Sequence, residues 1–184
     1  MTRAFPALGI VPLALFGTYA AVAAQRGRAA DALWMCHVAN LLLAIGMFAC
    51  SPRIVGIALL WIAIGIPLWA MDAWLNRTLA PVSLASHLGG LAVGIYAASR
   101  LRLSSNPWLG ALALFIALQQ VCRWWTPPAL NVNLAHAAYT GWEGVFGSYA
   151  MYWLATTLAA GACLWALGRL LVIRSERGGH DDKR

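Results

Sequence analysis

Charge is scarce in this sequence: of 184 residues, 13 are Lys or Arg and 6 are Asp or Glu. With 61% hydrophobic residues beside so little charge, an ordinary soluble domain is excluded, because no globular core needs that much apolar filling. Stretches outside the apolar runs are also short, which leaves no room for a separate soluble domain. The four cysteines, Cys36, Cys50, Cys122 and Cys163, contain no CxxC pair, so a zinc knuckle or thiol redox motif is excluded. No HxxxH or HExxH spacing sets two metal ligands on one helix. The net charge of +7 does not indicate nucleic acid, because the basic residues sit between apolar runs rather than in a stripe with interleaved aromatics.

What is present is a succession of apolar runs at bilayer length. They predict an all-α polytopic membrane helix bundle of about six transmembrane helices, roughly 5–24, 32–50, 54–75, 83–101, 108–122 and 148–172. Residues 1–173 form one transmembrane domain in this reading, and 174–184 a disordered cytoplasmic tail that mixes charges without apolar periodicity. The first run is full-length and the ones after it are equally apolar, so it is expected to be a retained helix rather than a signal peptide. Breaks between runs carry turn and cap chemistry: Gln25-Arg26-Gly27-Arg28, Ser51-Pro52-Arg53, Asn76-Arg77 with Pro81, and Ser104-Ser105-Asn106-Pro107, where Asn106 can cap and Pro107 can take the first helical position. The longest connection, Arg123 to Gly147, opens with two indoles and two prolines. Its apolar part, Leu130 to Phe146, is expected to lie against the helix ends.

Positive charge orients such a bundle. Arg3, Arg53, Arg100, Arg102, Arg169, Arg174, Arg177, Lys183 and Arg184 fall on the side of both termini, against Arg26, Arg28, Arg77 and Arg123 on the other. Both termini are thus predicted cytoplasmic in a bacterial-type inner membrane, and the long connection faces outward.

Chemistry gathers toward that outward side. At 1.5 Å rise per residue, His37 lies about 9 Å and His87 about 6 Å below the starts of their helices, and Asp72 reaches the same layer from the helix between them. His136 lies in the outer loop, with Asn40, Asn131, Asn133, Glu143 and Ser148 on the same side. Ionisable groups in a membrane span face a bundle interior or a wet cavity, which makes them functional candidates. The preferred reading is a metal site of His37, Asp72, His87 and His136 holding Zn, Fe or Cu, with an open position where the metal activates water against a lipid-like substrate. Structural roles are weighed beside it: each histidine bonded to a carbonyl or a headgroup, Asp72 paired with Arg77, Glu143 paired with Arg123, and Cys36 close to Cys122. The lower halves of the spans hold almost no ionisable group, which argues against a channel or pump.

The residue types resemble those of alkaline ceramidase-like membrane hydrolases, which use histidines with an Asp and a Ser; that family's paired histidines on the last helix are missing. Ser86-His87-Leu88-Gly89-Gly90-Leu91-Ala92-Val93-Gly94 is similar to the histidine-bearing helix of rhomboid intramembrane proteases. His37-Val38-Ala39-Asn40 is similar to that family's His and Asn oxyanion helix, one residue short in spacing. Between them the GxSG nucleophile motif is absent, and Gly147-Ser148-Tyr149 is a partial echo. The resemblance implies a serine hydrolase using Ser148 with His87; Glu143, on the same outer side, is a further catalytic candidate. A third expectation is a non-catalytic subunit or assembly factor of a larger membrane complex, with the aromatic outer surface as the docking site.

Overall fold

The computed structural model describes residues 4–77, 79–101, 103 and 106–181, with side chains from Phe5 to Val172. Among them there is no strand, and the chain is an all-α helical bundle. After a single turn at Ala4–Ala7, α1 runs Ile10–Gln25, α2 Met35–Phe48 and α3 Pro52–Asn76. A continuous helical stretch Pro81–Arg100, here α4, follows, then α5 at Pro107–Trp125 and α6 at Tyr149–Asp181. The side chains of the tail expected over 174–184, and residues 182–184 altogether, lie outside the described residues.

Each apolar run seen in the sequence thus becomes a helix. Among the described residues four are long and apolar enough to cross a membrane: Phe5–Gln25, Pro52–Asn76, Pro81–Arg100 and Tyr149–Val172. The other two differ in ways the residues explain. The second expected span loses its start to a 3-10 turn, Ala29–Leu33, leaving the 14 residues of α2, which reach about 21 Å at 1.5 Å each. Helix α5 ends in Gln119, Gln120 and Arg123, and it is not among the four.

Helix α3 is the axis of the bundle. From Val55 to Ile62 every residue is buried, as expected of a helix that is apolar all round, and α2, α4, α5 and α6 all pack against it. Close approach is set by small residues. A Cβ on Gly46 would stand 2.9 Å from Val55, and one on Gly110 would stand 2.7 Å from Ile57, so both helices lie tight on α3 in the manner of small-residue membrane interfaces. The Trp61 indole donates to the Ala111 carbonyl at 2.9 Å, fixing α5 to the same core. Ser51 caps α3 by accepting from Ile54 N at 3.4 Å, with Pro52 at the first position. Pro107 likewise begins α5, whereas Asn106 makes no side-chain cap bond. Pro67 sits inside α3 and removes one rung from its hydrogen-bond ladder.

The long connection packs where the sequence suggested. Its 3-10 turns, Pro128–Leu130 and Val132–Leu134, carry buried Val132 and Asn133, and Val132–Leu134 meets the turn Ala29–Leu33. All four cysteines are free thiols, which leaves no Cys36–Cys122 bridge; Cys122 accepts from Asn133 Nδ2 at 3.3 Å instead.

Candidate functional site: a buried Ser–His–Asn cluster

Two of the expected site residues meet. The rings of His37, on α2, and His87, on α4, stand edge to face with centres 5.3 Å apart. Each is 3% exposed. Antiparallel threading of α2 to α4 brings them to one level, and the local conformation of α4 turns them inward. Residues Ala85–Gly89 form a π-helical turn, a widened turn that recurs at functional sites. It directs the neighbours Ser86 and His87 both into the bundle, where they are 1% and 3% exposed.

The hydrogen bonds around the rings fix much of their chemistry. His87 Nδ1 lies 2.8 Å from the Ser83 carbonyl. A carbonyl only accepts, so Nδ1 carries the proton and Nε2 presents its lone pair. That Nε2 is buried and has no protein partner. Asn40 Nδ2 lies 3.2 Å from the carbonyls of Cys36 and Ser86, which identifies it as the amide nitrogen, and it is also 3.2 Å from Ser86 Oγ. The Ser86 hydroxyl therefore accepts from Asn40 and has its own proton to give. His37 Nδ1, 3.1 Å away, is in position to accept it.

Aromatic rings close the cluster on both sides. Tyr19 of α1 stacks on His37 with centres 3.4 Å apart, and Trp69 of α3 stacks on His87 at 4.4 Å. The Trp69 indole donates to Ser83 Oγ at 2.9 Å, so residue Ser83 holds the indole with its side chain and His87 with its carbonyl. Gly90 is required here: any Cβ on it would collide with Asn40 Oδ1.

The remaining expected residues stand elsewhere. Asp72 accepts from the Tyr139 hydroxyl at 3.0 Å and from Asn76 Nδ2 at 2.9 Å. Those partners replace the Arg77 pairing weighed from the sequence; Arg77 is the left-handed residue that ends the helix. Outside the spans, the Tyr139 phenol is pushed above its ordinary value, first by burial and next by Asp72. His136 Nε2 lies 3.4 Å from Thr126 Oγ1 within the long connection. Among the described residues no three His, Cys, Asp or Glu side chains gather as a metal-binding group, so the expected set of His37, Asp72, His87 and His136 is not assembled as one.

Glu143 accepts from its near neighbour Gly141 N at 2.8 Å and is exposed. Arg123, its expected partner, lies over the Tyr149 ring at 4.9 Å. The one ion pair among the described residues is Arg28–Asp31, at 2.7 Å. Ser148 is exposed and accepts from Met151 N at 3.3 Å as a helix cap; it has no hydrogen bond to His87, whose contacts are Ser83, Trp69 and His37.

Ser86 is the residue the sequence reasoning missed as a site residue. It appeared there as a letter of the glycine-rich helix, and the signal that could have found it is its place beside His87 in a stretch whose glycines allow close approach. Fold and site together define a membrane-embedded helical bundle with a buried serine–histidine–asparagine cluster. Comparison with family models, curated proteins and solved structures returns no match.

Proposed function

We propose that this chain is a membrane-embedded hydrolase in which Ser86 is the nucleophile and His37 its general base, acting on a lipid-like or acyl substrate. One observation carries the reading: a buried serine hydroxyl hydrogen-bonded to an imidazole at 3.1 Å, with its lone pair engaged by Asn40 at 3.2 Å. A serine needs an adjacent base within this reach to become nucleophilic. Deprotonation of the serine makes His37 an imidazolium in a buried site with no carboxylate bonded to it among the described residues, and the stacked face of Tyr19 is the group that stabilises this charge. The two segments similar to the rhomboid protease helices, His37–Asn40 and Ser86–Gly94, supply the cluster between them, which favours the serine reading with Ser86 in place of Ser148. Substrate reaches Ser86 when Trp69 swings away from Ser83. Both termini lie in the cytoplasm of a bacterial-type inner membrane in this proposal, from the distribution of Lys and Arg.

The test is covalent. A fluorophosphonate probe is expected to label the detergent-purified chain once, at Ser86, with labelling lost in Ser86→Ala and reduced at least a hundredfold in His37→Ala. Equal labelling of Ser86→Ala would end the proposal, and so would labelling that maps to Ser148. A wild-type chain that never labels, yet migrates with other membrane proteins after gentle solubilisation, would favour the complex-subunit reading.

A further inference from the structure

The cluster holds an atom that the serine reading does not use. His87 Nε2 is a lone pair whose protonation state is fixed by the Ser83 carbonyl, and it is buried without a protein donor. Burying an acceptor without a partner is unfavourable, so a position kept in this way points to a ligand. Tyr19 covers a face of the His37 ring and Trp69 a face of the His87 ring. An organic ligand would have to displace one of them, whereas a bare ion would not.

We infer that His37 and His87 form a two-imidazole site for a soft monovalent d10 metal ion, Cu(I), and that filling it switches the serine off. The separation of the rings admits a shared ion where the two Nε2 lone pairs converge. With an imidazole bond of about 2.0 Å, an ion sits roughly 3.2 Å from each ring centre, and centres 5.3 Å apart then subtend roughly 110°, leaving room for a third, exogenous ligand. The surroundings follow the usual arrangement for a ligating histidine, in which the far nitrogen is held by a hydrogen bond that fixes the ring: His87 by the Ser83 carbonyl and His37 by the Ser86 hydroxyl. Charge selects the ion. Both ligands are neutral, and a divalent ion in so buried a site carries roughly four times the self-energy of a monovalent one, the charge entering squared.

The inhibitory consequence, which rests on the serine hydrolase reading, is a tautomer switch. To ligate through Nε2, His37 moves its proton from Nε2 to Nδ1. That Nδ1–H then donates to Ser86 Oγ, and the base that drew the serine proton is gone. No bond to carbon changes and no electron is transferred; one proton moves across one ring.

The experiment is an anaerobic titration of Cu(I) into the full-length, detergent-purified chain against a colorimetric chelator. One ion per chain is expected, with affinity lowered at least tenfold in His87→Ala and in His37→Ala and unchanged in His136→Ala. X-ray absorption on the wild type is expected to give two nitrogen ligands, and it judges the site even if a histidine variant fails to fold. Absence of stoichiometric binding, sulfur from Cys36 in the first shell, or binding that survives loss of both histidines would each overturn the site. Cu(I) is further expected to suppress fluorophosphonate labelling at Ser86. Labelling that persists with Cu(I) bound removes the switch, whereas a chain that binds Cu(I) but never labels removes the hydrolase reading and leaves the metal site standing.

Discussion

Asn133 Oδ1 accepts the backbone N–H of Met35 at 2.8 Å, across 98 residues of chain. Met35 begins α2, the helix that carries His37 and Asn40, and its N–H is one of the donors that a helix start leaves without an internal partner. The same amide donates through Nδ2 to the Leu33 carbonyl at 2.7 Å, so the long connection both caps α2 and anchors the turn leading into it. Asn133 holds this pose at φ +52°, a left-handed conformation that Asn tolerates better than most residues. Asn133→Ala leaves a donor and an acceptor without partners and is expected to destabilise the fold by about 2–4 kcal/mol. Thermal unfolding in detergent measures it, and a change indistinguishable from zero would mean the connection does not hold α2.

Gly90 and Gly17 make opposite predictions for one and the same substitution. Gly90→Ala drives a methyl into Asn40 Oδ1, and the amide is held by the carbonyls of Cys36 and Ser86, so it has little freedom to yield. Loss of Ser86 labelling and a lower melting temperature are expected together. Gly17→Ala meets nothing within 4 Å; relief of backbone entropy in the middle of α1 makes it neutral or stabilising by up to about 1 kcal/mol. Equal behaviour of the two variants would contradict the packing described here.

Ser83→Ala tests the covering ring. It removes the hydroxyl that holds the Trp69 indole at 2.9 Å and retains the carbonyl that fixes His87. A neutral hydrogen bond contributes about 1 kcal/mol, or roughly fivefold in an opening equilibrium, so probe labelling of Ser86 is expected to quicken severalfold. Slower labelling would indicate that Trp69 orders the site rather than closing it.

Alkaline pH addresses the Asp72–Tyr139 pair. The Tyr139 phenol is raised above its ordinary value of 10.0, by burial first and by the Asp72 carboxylate next. A group whose pKa is raised in the folded state keeps its contribution below the ordinary value and loses it as pH climbs through the raised one. Stability is therefore expected to fall on the alkaline side, and Tyr139→Phe to flatten that fall. Melting curves across the range above about pH 9 check it; an unchanged alkaline limb in Tyr139→Phe would reject the pair as its source.

Much of the architecture was legible because bilayer length is written in run length, and the breaks read around Pro52, Pro81 and Pro107 are where three helices begin. Depth was legible too: counting residues from helix starts put His37 and His87 on one level, and they meet. Direction around the helix axis was not. The same count assigned Asp72 to that level, but its side chain bonds Tyr139 rather than the histidines, and no count along the chain reveals which way a residue faces when every side of the helix is apolar. Ser86 escaped for a related reason. On a regular helix, neighbours point about 100° apart, so Ser86 and His87 would not be expected to enter the same cluster. The π-helical turn that makes them do so has no simple signature in sequence.

Pro67 gives the closing helix face a mechanical property. Without an N–H, it leaves the Ala63 carbonyl of α3 without its regular donor, so the part of α3 beyond it bends more readily than the part buried in the bundle. That outer part carries Trp69, tied to Ser83, and Asp72, tied to Tyr139. The loop residue Tyr139 and the indole stacked on His87 are thereby fastened to one short stretch of helix, on the far side of the proline.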